Sequence, residues 1–269
     1  MLEIYANICE IYSEKVITMK EYSERINEFA EMIKESENVV FFGGAGVSTE
    51  SGIKDYRSRD GIYSTVKDYG TSPEEILSHD FFMQNPSVFY KFYGEYFLGI
   101  SAKPNAAHTA LAKLEKLGKL KAVITQNIDN LHQLGGSRNV IELHGTTRKY
   151  HCIKCGADYP FEKVEERRGK IPYCDECGGL IKPDVTLYGE MLNPDAEHSA
   201  IAALSAADML IVGGTSLVVY PAAAYLNYFG GRHIVLINRD ETAFDSNAEL
   251  IFHENIGGVF KDLMPKIEK

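Results

Sequence analysis

Residues 38–52 read NVVFFGGAGVSTESG. The first five residues are an apolar run short enough to be a buried strand, and a cluster of glycines follows at once. A strand that runs through a glycine turn into a helix is the arrangement that places backbone N–H groups around a pyrophosphate. Gly44 and Gly46 supply the first two glycines of a dinucleotide fingerprint, but Thr49 stands where the third would be. Taken alone, such a loop also fits a mere tight turn.

Four further runs are apolar in the same way, namely Ala122–Thr125, Val140–Leu143, Met209–Val212 and His233–Ile237. Helical periodicity separates them, over Met19–Lys34, Ala106–Leu117, Asp195–Ala206, Ala222–Phe229 and Val259–Ile267. Apolar strands alternating with helices predict a parallel sheet covered on both faces, with ligand chemistry at the carboxyl ends of its strands. Polar clusters end four of the runs: the glycine loop, Thr125–Asp129, His144–Thr146 and Gly213–Ser216. Amides, a carboxylate, an imidazole and hydroxyls gathered beside a glycine loop have the makings of an active site.

Two stretches break the pattern. Residues 60–104 are rich in Tyr and Phe and read as a loop plus helices. Residues 148–182 hold Cys152-x2-Cys155 and Cys174-x2-Cys177, separated by eighteen residues. That is zinc-ribbon spacing, and four thiolates make a closed tetrahedral site with no place for water, so one structural Zn2+ is expected. The acidic neighbours Glu162, Glu165, Glu166, Asp175 and Glu176 disfavour a nucleic-acid finger. Across the 269 residues the formal net charge is −10, which argues against nucleic acid as a partner. No apolar run is long enough to span a membrane and the amino terminus lacks a signal-peptide pattern, so a cytoplasmic monomer is expected.

The motifs together resemble the sirtuins. The matching stretches are Gly44–Ile53 with Asp55-Tyr-Arg57, Pro104–His108, Thr125–Asp129 with Leu131-His132, Glu142–Thr146, the cysteine pairs, Lys182-Pro-Asp184 with Gly189-Glu190, Gly214–Leu217 and Ile237-Asn238. They run in the family's order from about residue 20 to the end. The resemblance implies an α/β fold: a Rossmann-like parallel sheet with helices on both faces, plus a smaller zinc-ribbon and helical domain. The implied division is an extension at 1–18, a discontinuous NAD-binding unit at 19–59, 105–147 and 183–269, and a small unit at 60–104 and 148–182.

It also implies an NAD-dependent protein-lysine deacylase that releases nicotinamide and O-acyl-ADP-ribose, acting on acyl-lysine proteins or peptides. By the same resemblance, His144 is the general base, and Asn127 and Asp129 complete the catalytic set. Ala45, Gly46 and Arg57 would hold the NAD phosphates; Gly44, Thr49, Asp55 and Tyr56 would also contact the cofactor, Tyr56 with an aromatic face for the nicotinamide region. Ser48, Asn127, Ile128 and Asp129 would line the nicotinamide pocket, and Gln126 would bond the adjoining ribose. Gly214, Thr215, Ser216, Asn238 and Arg239 would hold the remainder. Val185, Tyr188, Gly189 and Glu190 would face Leu217, Val218 and Val219 across the acyl-lysine segment, received as an added strand. An imidazole suits the base, because its unperturbed pKa of ~6.5 lies near neutrality.

Some positions depart from the family pattern. Lys54 and Tyr56 replace a common Pro and Phe, and Leu187-Tyr188 replaces a more frequent aromatic pair. Members that prefer succinyl groups carry Tyr and Arg three residues apart; here Tyr93 is followed by Tyr96. A succinyl carboxylate would then be buried unpaired, so neutral acyl groups are expected. The other histidines, His108 and His132 among them, read as structural. The competing readings are mono-ADP-ribosyl transfer or NAD hydrolysis at the same site, and a zinc-ribbon binding module on an inactive scaffold.

Overall fold

Every residue of Val39–Gly43 (β1) is buried, and its side chains divide between two cores. Val39 and Phe41 pack on one face of the sheet, Val40 and Phe42 on the other. That is why the run lacks alternation: a strand covered on both faces needs apolar residues throughout. Each such side chain, fully buried, contributes roughly 1.5–3 kcal/mol. The computed structural model describes residues 21–55, 61–62, 69–98 and 101–268. The extension at 1–18, Tyr56 and Arg57 lie outside them.

Five more strands join β1: Leu120–Thr125 (β2), Val140–Glu142 (β3), Met209–Gly213 (β7), His233–Ile237 (β8) and Leu250–Phe252 (β9). The order is β3-β2-β1-β7-β8-β9, and all neighbours are parallel. Direction of travel reverses between β1 and β7, the switch point where α/β sheets open a crevice at their carboxyl ends. A helix over 21–35, Ala106–Lys116 and Ile256–Ile267 cover the face that carries Phe41. Pro194–Ala206 and a 3-10 helix, Ala222–Tyr228, cover the other.

Two expectations need correction, and one strand of this parallel sheet was not expected. The helix after the glycine loop is a 3-10 turn, Ala45–Ser51. Its Gly46 N–H donates sideways to Gly214 O at 2.8 Å, outside the helical ladder, and Gly52 in the left-handed region stops it. The segment expected as a helix at Ala222–Phe229 is also 3-10; Pro221 sits at its N-cap and no side chain caps it. The unexpected strand is β9, whose three residues are too few to show a period.

A second sheet is antiparallel and three-stranded, in the order β5-β4-β6: Gly145–Cys152 (β4), Asp158–Pro160 (β5) and Ile181–Val185 (β6). Its core is shared with the aromatic-rich helices Pro73–Ile76, His79–Gln84 and Pro86–Tyr96. Phe82, Phe89, Phe92 and Tyr93 pack there with Tyr150, Cys152, Cys174 and Ile181. Phe89 and Tyr93 stack at 5.5 Å, and Tyr93 stacks on Phe97 at 5.1 Å. Two segments some fifty residues apart in sequence therefore make one core, and the paired cysteines lie at its edge. Among the described residues no helix is long and apolar enough to cross a membrane.

Candidate active site and zinc centre

The crevice at the switch point is closed at its floor by backbone meeting backbone. Gly44 N–H donates to Gly213 O at 3.2 Å, and Gly46 N–H to Gly214 O at 2.8 Å. A Cβ added at Gly46 would lie 2.7 Å from Gly214 Cα; one added at Gly214 would lie 2.4 Å from Val47 N. Gly214 also has φ +58°, a conformation that side chains resist. The glycines thus let two loops interlock, a role invisible to a fingerprint read along one loop.

Above this floor lies a cleft of about 460 Å³. The glycine loop contributes Gly44, Ala45, Gly46 and Thr49, with Asp55 beyond it. The end of β2 contributes Gln126, Asn127 and Ile128, and the β3–β4 junction contributes His144. Gly214, Thr215, Ser216 and Val219 follow β7, while Asn238 and Arg239 follow β8. Val185, Tyr188, Gly189 and Glu190 form the opposite wall. Ser48 and Asp129 line an adjoining pocket that shares Ala45, Asn127 and Ile128 with the cleft. Leu217 and Val218 line neither: Leu217 packs against the sheet core with φ +55°, and Val218 is exposed beside the cleft.

Polar groups in the cleft hold one another in place. Asp129 uses its two oxygens separately: Oδ2 accepts from Ser48 Oγ at 2.6 Å, and Oδ1 accepts from Leu131 N–H at 2.9 Å. It therefore satisfies the first N–H of the short helix Leu131–Leu134, whose N-cap is Asn130, while lining the pocket. Asn127 Nδ2 donates to Ser48 Oγ at 3.1 Å, and Gln126 Nε2 to Thr215 Oγ1 at 3.1 Å.

His144 Nδ1 lies 2.9 Å from Gln126 O. A carbonyl only accepts, so Nδ1 carries the proton and Nε2 keeps its lone pair. Burial pushes the His144 pKa down, and the bond to Gln126 O offsets only part of that. The shift favours the neutral ring, the form a base needs.

His108 and His132 are buried, with ring centroids 4.7 Å apart. His108 Nδ1 accepts from Asn105 N–H in a capping box, so its role is structural as expected. Sequence reasoning missed the far end of the cleft, where Asp240, Glu241, Glu254 and Asn255 lie, and, on the inner wall, Leu77 and Phe97 beside Tyr93. Asn255, the N-cap of Ile256–Ile267, was the available signal there.

The four sulfurs of Cys152, Cys155, Cys174 and Cys177 all lie within 4.8 Å of one another, with contacts of 3.5 and 3.6 Å. Zinc–sulfur bonds of about 2.3 Å in a tetrahedron require about 3.8 Å between sulfurs, so the cluster fits zinc. Tyr159 donates to Cys174 Sγ at 3.2 Å and draws that thiol's pKa down to about 6. Thiolate is the ligand form. A Cβ on Gly179 would stand 2.8 Å from Cys152 Sγ, which explains the glycine.

The comparisons agree with this geometry. A family model described as Sir2 family matches residues 44–221. The NAD-dependent protein deacetylase of Clostridium acetobutylicum is 50% identical over 241 residues, 90% of this chain and 98% of that protein. That of Clostridium perfringens is 51% identical, over 88% of this chain and 97% of that one. A Sir2 structure with a deacetylated p53 peptide and 3'-O-acetyl ADP ribose superposes with TM-score 0.81 at 41% identity, covering 89% of this chain and 97% of that one. Sir2Tm bound to a propionylated peptide gives TM-score 0.79 at 40% identity, with the same coverage. The interlocked glycine loops, the neutral His144 and the cysteine cluster are thus features of a chain that belongs to the Sir2 family.

Proposed function

We propose that this protein is an NAD-dependent protein-lysine deacylase, a deacetylase first of all, that works as a cytoplasmic monomer on acyl-lysine segments of other proteins. The observation that carries the reading is His144: a neutral imidazole with Nδ1 fixed on Gln126 O, in the same cleft as the glycine loop. NAD supplies a C1'–nicotinamide bond that breaks as the acyl oxygen adds to C1'. His144 Nε2 takes the proton from a ribose hydroxyl, which makes that oxygen a nucleophile. Asn127, Ser48 and Asp129 hold the nicotinamide end, Gln126 the ribose, and the glycine loop with Arg57 the phosphates. Gly214–Ser216, Asn238 and Arg239 hold the remainder of the dinucleotide. Zinc on the four cysteines ties the small unit, 60–104 with 148–182, to one shape, and the acyl-lysine segment enters between it and the NAD-binding unit.

Tyr93 and Phe97 line the inner cleft, and Tyr96 lines the adjoining pocket. Aromatic walls favour neutral acyl groups over succinyl. The test follows acetyl- and succinyl-lysine peptides by mass spectrometry, with and without NAD, in the wild type and His144→Ala. Acetyl loss that needs NAD, falls by about 10²–10⁴ in the variant and exceeds succinyl loss supports the reading. Nicotinamide release without lysine deacylation would replace it with ADP-ribosyl transfer or NAD hydrolysis.

A further inference from the structure

Glu190 stands in the cleft wall, where the family resemblance suggests a substrate contact, yet its carboxylate is already committed elsewhere. Oε2 accepts from Leu187 N–H at 2.8 Å and pairs with Lys182 Nζ at 3.0 Å. Oε1 meets His79 Nδ1 at 2.8 Å. Lys182, with its side chain 9% exposed, has its ammonium further satisfied by Val185 O at 2.8 Å and Pro183 O at 3.3 Å. Three donors thus meet three acceptors, the condition under which a buried ammonium is tolerated.

The three side chains come from three places. Lys182 lies on β6 of the zinc-ribbon sheet. His79 opens the helix His79–Gln84 of the aromatic module. Glu190 ends the segment 185–190 that lines the cleft. The backbone repeats the connection: Tyr188 N–H donates to Leu77 O at 3.0 Å, and His79 N–H donates to Tyr188 O at 2.9 Å, a parallel bridge between Ser78 and Tyr188. Residues 185–190 are therefore pinned at two levels, by main chain and by charge.

We propose that His79, Lys182 and Glu190 are positioning residues that hold the extended stretch 185–188, and the turn that Glu190 N–H closes on Leu187 O at 3.0 Å, in one shape and so set the affinity for the acyl-lysine segment. The inference deepens the deacylase reading and rests on it for what binds there. A segment that must accept a guest strand loses less freedom on binding when it is already extended, and pre-organisation of this kind appears as affinity. His79 stands outside the residues that line the cleft, so losing its ring removes no contact to NAD or to His144; the segment's own tie to His144, Thr186 N–H to His144 O at 2.9 Å, is main chain and stays. His79 is the informative member. Its side chain is 46% exposed, so truncation leaves no cavity and the fold survives.

The experiment measures KM for an acetyl-lysine peptide at saturating NAD, KM for NAD at saturating peptide, and kcat, in the wild type, His79→Ala and His79→Asn. A fluorescent acetyl-lysine peptide is titrated in parallel to read affinity without turnover. Peptide KM and Kd should rise about fivefold in His79→Ala, the effect of losing one ordinary, half-exposed hydrogen bond. KM for NAD and kcat should hold. His79→Asn, whose amide N–H stands near the place of Nδ1, should restore most of the affinity. Equal rises in both KM values, an unchanged peptide Kd, or no rescue by Asn would overturn the clamp. Absence of turnover in the wild type would strike the deacylase reading alone, because the peptide titration still judges the clamp.

Discussion

The two sheets are stabilised by different means. The parallel sheet has apolar side chains on both faces and a core on each. The antiparallel sheet has three strands, a core borrowed in part from helices at 73–98, and a four-cysteine cluster at its edge. Helices sheathe the first, while the second is fastened by specific polar and sulfur contacts. The difference shows that hydrophobic burial alone suffices only above a certain size; below it, point fasteners take over.

Removing the metal puts this contrast to its hardest use. Stripping zinc with a chelator, or replacing Cys174 by Ala, should cost the small sheet most of its order, since structural zinc contributes about 10 kcal/mol or more in small domains. Hydrogen exchange should show lost protection in β4–β6 and across 73–98, with β1, β2, β7 and β8 still protected. Simultaneous loss in both sheets would mean that they are one cooperative unit.

Paired glycine substitutions sharpen the same comparison at smaller scale. Gly46→Ala forces a Cβ against the Gly214 backbone and should lower stability by about 1–3 kcal/mol. Gly156, in the turn after Cys155, has φ +74° and open space around it, so Gly156→Asn should cost a few tenths of that. Thermal midpoints of the two variants give the ranking directly. Equal losses would remove the distinction between close approach and backbone conformation.

Acid should weaken the parallel sheet's flank by a smaller amount. Burial lowers the His108 pKa to about 4, with Asp129 resisting, and lowers that of His132 to about 3, with the His108 charge adding to it. Unfolded chains bind these protons first, from about pH 6.5 downward. Stability therefore falls as pH drops through that value and levels only below the folded pKa values, by about 1.4 kcal/mol per unit of separation. Midpoints measured from pH 7 to 4 should decline less steeply in His132→Phe, whose ring suits the contact His132 makes with Phe41. Parallel slopes would show that these histidines do not drive the decline.

Much of this was legible in the sequence, and the reasons are local. β1, β2, β7 and β8 announce themselves because a strand buried on both faces is apolar at every position but a few. The cysteine pairs announce the zinc centre because ligand spacing is set by turn geometry. The far end of the cleft was not legible: Asp240, Glu241 and Glu254 are ordinary surface residues until β8 and β9 bring them together. The Glu190 clamp was hidden likewise, since Lys182 and His79 lie 8 and 111 residues away and meet only through tertiary packing. The 3-10 form of Ala45–Ser51 depends on Gly214, which no window around residue 46 contains.

That dependence has a consequence for how such a chain can drift over generations. Gly46 and Gly214 are 168 positions apart, yet neither can gain a methyl group while the other loop stays where it is. The pair behaves as a single inherited character written in two places. Replacement at one is viable only after both loops have moved, and moving them shifts the floor on which every other cleft residue is mounted.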